Sequence, residues 1–104
     1  MAEVTWSKPA LDQLDAIAGF IALDKPDAAA AVVQKIFGMT DHLELFVKLG
    51  RKVPEYPHPN YRQVWISPCW VYYRTEEEQV FILHVRRAER PLRIDDLLEN
   101  GPTT

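Results

Sequence analysis

Six arginines in the second half of the sequence, Arg62, Arg74, Arg86, Arg87, Arg90 and Arg93, carry its most suggestive chemistry. A guanidinium is always charged and presents a planar fork of donors, so it can grip a phosphate or a carboxylate with two parallel hydrogen bonds. Four of them fall between Arg86 and Arg93, where Glu89 is the only opposing charge. Glu55, Glu89, Asp95 and Asp96 could pair with some of these cations on the surface, but exposed pairs contribute little. Their clustering at one place favours recognition of another molecule.

The remaining chemical groups are less suggestive. His42, His58 and His84 fall on a helix, a proline-rich loop and a strand, with no ligand pair at a zinc-like spacing, so neither a metal site nor a cofactor is expected. Ser7 reads as a helix cap and Ser67 as a turn residue. Cys69 reads as a small buried hydrophobe with no evident base beside it, which leaves hydrolysis without a nucleophile. The glycines at 19, 38, 50 and 101 are too scattered to cradle phosphate. Glu76-Glu77-Glu78 reads as a solvated turn tip. Trp65, Trp70, Tyr72 and Tyr73 could stack bases, but they sit in strand-like runs where aromatics pack anyway.

Regular elements must position these groups. Val4-Thr5-Trp6 is β-prone, and Ser7-Lys8-Pro9 starts a helix on which Leu11, Leu14, Ile17, Ala18 and Ile21 recur at helical spacing. Asp24-Lys25-Pro26-Asp27 is a second start, with Asp24 as cap and Pro26 in the first turn. Ala29, Val32, Val33, Ile36, Phe37, Thr40 and Leu43 then share one side, which completes a helical hairpin. Gly50, Pro54, Pro57 and Pro59 exclude regular structure from the next stretch. Three β-rich runs follow, 61–67, 69–74 and 79–85, and read as an antiparallel meander. Strand alternation directs Phe81, Leu83 and Val85 at the hairpin and Ile82, His84 and Arg86 outward, in company with Arg62 and Arg74. A helical turn at Asp95-Asp96-Leu97-Leu98 can close the tail.

The predicted order is β-α-α-β-β-β, an α+β fold with the helical hairpin on one face of a small antiparallel sheet. One domain over 1–104 is expected. It divides into a strand plus helical hairpin (1–48), a proline-rich loop (49–60), a β-meander (61–85) and an arginine-rich tail (86–104).

Composition narrows the class further. With 104 residues, 47% of them apolar and 26% charged, the chain can bury a single core without staples. A lone cysteine excludes a disulfide scaffold. Apolar stretches such as Ala28 to Val33 fall far short of the roughly 20 residues of a membrane span. The opening Met1-Ala2-Glu3-Val4-Thr5-Trp6 has neither the basic nor the apolar region of a signal peptide, so a cytoplasmic protein away from membranes is expected. A formal charge of −3 argues against a general nucleic-acid binder. Residues 1–50 hold four Lys and no Arg, whereas 51–104 hold seven Arg and one Lys. The result is a local cationic edge on an acidic body.

Several segments in this order resemble the RelE/ParE superfamily of toxins from bacterial type II toxin–antitoxin modules. They are Val4-Thr5-Trp6-Ser7-Lys8-Pro9-Ala10 followed by Leu14 and Ile17, Leu49-Gly50-Arg51-Lys52-Val53-Pro54-Glu55, Tyr61-Arg62, Val71-Tyr72-Tyr73-Arg74, and Val80-Phe81-Ile82-Leu83-His84-Val85-Arg86-Arg87. The resemblance covers nearly the whole chain and implies the same fold. RelE-like members are ribosome-dependent endoribonucleases that use basic residues and often a tyrosine, whereas ParE-like members poison DNA gyrase by binding it.

This chain departs from the nuclease pattern. Trp70 stands where an arginine is expected within the meander, Ala88 where one follows the last strand, and Ile94 where a C-terminal tyrosine is expected. Arg62 keeps a basic position on the first meander strand, and Tyr73-Arg74 resembles the ParE branch. The resemblance therefore implies a binding toxin rather than an enzyme, with DNA gyrase as target and Arg86, Arg87, Arg90 and Arg93 as its contacts. The alternative nuclease would use His84, Arg62, Arg87 and Tyr73 as its catalytic set. A cognate, ParD-like antitoxin is the implied partner in a hetero-oligomer, and it wraps the toxin with an amphipathic helix and an extended segment. Leu11, Leu14, Ala18 and Val33, with Arg62, Arg74 and Arg86, are the candidate antitoxin contacts. A third reading is a non-toxic member that only binds antitoxin.

Overall fold

A computed structural model describes residues 1–99; residues 100–104 of the tail lie outside the described residues. The chain runs β1 (Glu3–Trp6), α1 (Lys8–Ala22), α2 (Pro26–His42), β2 (Arg51–Lys52), β3 (Tyr61–Ile66), β4 (Cys69–Glu76), β5 (Gln79–Arg87) and α3 (Ile94–Glu99). The strands form one sheet in the order β1-β5-β4-β3-β2, and the helical hairpin packs on one of its faces. The α+β architecture is as expected, and α3 occupies the place read as a helical turn. Two edge strands modify the meander. β1 joins parallel to β5, with Glu3 opposite Gln79 and Trp6 opposite Ile82. β2 arises inside the proline-rich loop, because Arg51 and Lys52 precede Pro54 and keep the amides that pair with Gln63 and Arg62.

Local chemistry sets the helix starts. Ser7 is extended at ψ 152° and its hydroxyl accepts from the Ala10 amide at 3.2 Å, which satisfies one otherwise orphan donor. The start of α2 differs from the expectation. Lys25, not Asp24, occupies the cap and offers no side-chain bond, while Pro26 begins the helix. The Asp24 amide is bonded to the Ile21 carbonyl, which places Asp24 in the closing turn of α1 and leaves Lys25 as the residue before Pro26.

Both faces of the sheet are covered. Ala10, Leu14, Ile36 and Leu43 meet Ile66, Cys69, Val71, Tyr73, Val80, Ile82 and Val85 beneath the hairpin. On the opposite face Val53, Tyr61, Tyr72, Phe81, Leu83 and Leu97 form a second, smaller core. The outward assignment of Ile82 and the inward assignment of Phe81 and Leu83 are thereby reversed, while Val85 meets the hairpin as expected. A β-bulge explains the mixture. Tyr72 pairs with His84 but Tyr73 pairs with Ile82, which leaves Leu83 as an extra residue and shifts the alternation of β5 by one. Val53 and Leu97 cover the far face, so apolar side chains are stable on both sides and the two-residue period does not reveal which points where.

Candidate functional site

The end of β5 gathers the arginines, but not as one open cluster. Arg86 donates from Nε to the Tyr72 hydroxyl at 2.9 Å, and its guanidinium lies 5.8 Å from that ring. Its Nη1 donates to the carbonyls of Ala88, at 3.3 Å, and Arg90. This cation fastens the 87–90 turn to the sheet, which leaves it little capacity for a partner. Arg87 stacks over Phe20 of α1 at 5.2 Å, with Nε 2.8 Å from Glu89 Oε1. Arg90 and Arg93 are exposed, and their side chains make no hydrogen bond or ion pair among the described residues. The four arginines assigned to target contact thus divide into one internal clamp, one stacked pair member and two exposed cations with no side-chain partner among the described residues.

Arg62 and Arg74 do not share a face with each other. Arg62 pairs in register with Tyr73 on the hairpin side and donates to the Gly50 carbonyl at 2.8 Å. Arg74 lies over Phe81 at 5.0 Å on the far side, 3.6 Å from Glu76. The bulge keeps Arg86 on that far side with Tyr72.

The alternative catalytic set is likewise divided. Tyr73 is fully buried; its hydroxyl accepts from the Gly50 amide at 2.8 Å and donates to the Val47 carbonyl at 2.9 Å. Burial pushes this phenol above its ordinary value of 10.0, with the Gly50 bond and the Arg62 charge opposing the shift. A Cβ at Gly50 would stand 2.6 Å from the Gln63 carbonyl and 2.9 Å from the Tyr73 ring, so the absence of a side chain there is what lets the loop close on this phenol. His84 lies across the sheet against Tyr72, at 5.8 Å between rings, with Nε2 4.0 Å from Asp96 Oδ2. Desolvation lowers its pKa below 6.5; Asp96 pulls it up and Arg86 pushes it further down. Tyr73 and Arg62 therefore sit on one face and His84 on the other. The four groups of this alternative set do not converge on one point.

The hairpin candidates separate as well. Leu14 is 3% exposed and belongs to the core, so it is closed to a partner. Leu11 is exposed, and Ala18 and Val33 line a shallow trough of about 420 Å³ between α1 and α2 together with Gly19, Ala22, Ala29 and Ala30. Small side chains on both helices create that trough.

A larger cleft, about 1070 Å³, opens where α1, the end of β5 and the tail meet. Gln13, Ile17 and Phe20 line it from α1, His84 and Arg87 from β5, and Arg90 from the tail. Gln13 and Phe20 were not visible as site residues in the sequence. The available signal was an aromatic off the apolar stripe of α1, since Phe20 is 64% exposed. Among the described residues no group of three or more His, Cys, Asp or Glu could hold a metal, and no helix is long and apolar enough to cross a membrane.

A helical hairpin on a five-stranded, mostly antiparallel sheet, with arginines gathered at the end of β5, defines a small α+β protein. Comparison with known proteins makes this specific. The family model for the "ParE toxin of type II toxin-antitoxin system, parDE" matches residues 4–92, and the chain belongs to this family of the RelE/ParE superfamily. It is similar to a solved structure described as "Chromosomal ParDE TA system from P. aeruginosa", with 25% identity and a TM-score of 0.71 over 86% of this chain and 98% of that one. No match was found among the curated proteins.

Proposed function

We propose that this toxin arrests bacterial growth by binding DNA gyrase in the cytoplasm, without catalysis of its own, and that a ParD-like antitoxin neutralises it in a hetero-oligomer. The observation that carries the reading is the position of Tyr73 and His84 on opposite faces of the sheet. Cleavage of RNA needs a general acid and a general base within hydrogen-bond reach of one phosphate. Tyr73 is committed to Gly50 and Val47, and Arg62 to Gly50, so two of the four groups of a nuclease site already serve the fold.

Arg90 and Arg93 are the groups best suited to hold the target, with Arg87 entering from its stack on Phe20. Leu11 and the Ala18–Val33 trough suit an amphipathic antitoxin helix, which would lay apolar side chains between α1 and α2. Gyrase supercoiling in the presence of purified toxin tests the proposal. Supercoiling should fall, or cleaved complex accumulate, and added antitoxin should restore activity. Normal supercoiling at large toxin excess removes gyrase as the target. Messenger cleavage in a translating extract would restore the nuclease reading, and expression without growth arrest would favour a member that only binds antitoxin.

A further inference from the structure

The loop between α2 and β2 holds exposed apolar side chains beside exposed cations. We propose that this loop docks the protein on a bilayer surface rich in anionic phospholipid. The inference does not rest on the choice of gyrase as target.

Exposure of these apolar groups is imposed by the fold. Leu43 is fully buried, Gly50 is buried, and Val47 packs against the core beneath the hairpin. The Tyr73 hydroxyl ties down both the Val47 carbonyl and the Gly50 amide. With those positions pinned, the residues between them are held outward. Successive turns, from the Phe46 amide to the His42 carbonyl at 2.9 Å and from the Leu49 amide to the Phe46 carbonyl at 3.0 Å, keep Leu45, Phe46 and Leu49 close together. They are 66%, 58% and 47% exposed. A pinned cluster of this kind has no core to retreat into, and adjacent apolar side chains left in water mark contact with another surface.

Charge selects that surface. Between Glu44 and Glu55 the chain carries Lys48, Arg51 and Lys52 and no acid, although its net charge is −3. All three cations are exposed, and Lys48 and Lys52 form no ion pair among the described residues. Arg51 lies 5.0 Å from the Trp70 ring, which is 5.2 Å from Trp65, itself 44% exposed. Leucine and phenylalanine flanked by Lys and Arg, with a half-exposed tryptophan alongside, suit the boundary between headgroups and acyl chains. Neither the trough nor the larger cleft includes these residues, as befits contact with a flat surface. A second copy docked on the same patch would set its cations against their own kind. Among the described residues no helix can cross a membrane, but peripheral attachment needs only side chains inserted at headgroup level.

The test mixes full-length toxin with sedimentable vesicles at about 0.15 M salt. One set is pure phosphatidylcholine, and the other contains phosphatidylglycerol in about equal part. Saturable binding to the anionic set is expected, at least about tenfold tighter than to the neutral one. Phe46→Ser should weaken it about tenfold or more, by removing the inserted ring. Lys48→Ala should weaken it about fivefold, the contribution of one cation near an anionic surface. Leu23→Ser removes an 85% exposed leucine outside the patch and should alter binding less than about twofold. All three positions are exposed, so the variants should unfold at the wild-type temperature. Absence of saturable binding up to about 1 mM lipid overturns the proposal. So do equal binding to neutral vesicles, unchanged binding of Phe46→Ser or Lys48→Ala, or an equal loss from Leu23→Ser. Should Phe46→Ser abolish gyrase inhibition while vesicles go unbound, the patch is a protein contact and the lipid proposal fails. Gyrase inhibition by the wild-type toxin is scored separately, so either proposal can fail without the other.

Discussion

Tyr73→Phe removes one oxygen atom and should cost this protein a large share of its stability. The phenol hydroxyl bridges two main-chain groups of the loop, accepting from Gly50 N–H at 2.8 Å and donating to Val47 C=O at 2.9 Å. The ring itself stays packed in the hairpin core after the change, so the transfer of apolar surface is nearly untouched. What changes is the pairing of a buried amide and a partly buried carbonyl. Each such group left unsatisfied costs about 1–3 kcal/mol. Gly50 is buried and Val47 is only half-buried, so water can recover part of the carbonyl's loss. The expected total is about 2–3 kcal/mol. An unfolding entropy of about 2.1 cal/mol/K per residue makes each kcal/mol worth roughly 4–5 °C, so Tm should fall by about 10 °C. Urea unfolding and differential scanning calorimetry measure this directly. A loss below about 0.5 kcal/mol, the range of ordinary surface changes, would refute the idea that this hydroxyl locks the loop. A nuclease role for Tyr73 makes the opposite prediction, a stable variant whose messenger cleavage has disappeared.

Gly50→Ala should destabilise by about 2 kcal/mol or more, since overpacking against the Gln63 main chain and the Tyr73 ring cannot relax without opening the β2–β3 pairing; equilibrium unfolding with an unchanged melting point would count against this. Ser7→Ala should cost about 1–2 kcal/mol, because it removes the cap on Ala10 and the bond to the Leu83 carbonyl. His84 titrates lower in the folded than in the unfolded chain, so its contribution to stability is complete above pH 6.5 and is lost as pH falls through the lowered folded value. Asp96→Asn removes the group that raises this pKa, and NMR titration should find His84 shifted further down; an upward movement would contradict the assignment of the pair. Arg90→Ala and Arg93→Ala should each change stability by less than about 0.5 kcal/mol while relieving growth arrest. Full toxicity of the double variant would remove both from the target contact.

The arginine-rich end of the molecule shows how position decides role for chemically identical groups. Arg86 and Arg90 are four residues apart, yet the first is folded back over Tyr72 and holds the Arg90 carbonyl, while the second leaves its own guanidinium in solvent. Deleting Arg86 would free the 87–90 turn as well as remove a charge. Toxicity lost by Arg86→Ala therefore says little about target contact unless stability is measured beside it.

The start of α1, the hairpin, the three meander strands and the closing α3 were legible because each depends on a short run of neighbours. Ser7 with Pro9, the recurrence of Leu11, Leu14 and Ile17, and the β-rich run from Gln79 are signals carried within a few residues. The Arg51–Lys52 strand was not, since its amides acquire meaning only when Gln63 and Arg62 lie opposite.

Which residues share a site was decided by tertiary structure alone. The sequence determined the classes of group present and the order of the elements that carry them. It could not determine that Leu83 would bulge, that Val53 and Leu97 would bury the far face, or that Tyr73 and His84 would end on opposite sides of one sheet. The physical reason is that strand faces alternate with a period of two, so one unannounced extra residue reassigns every side chain beyond it. A bulge is stabilised by contacts with distant segments, and only the folded chain brings those together.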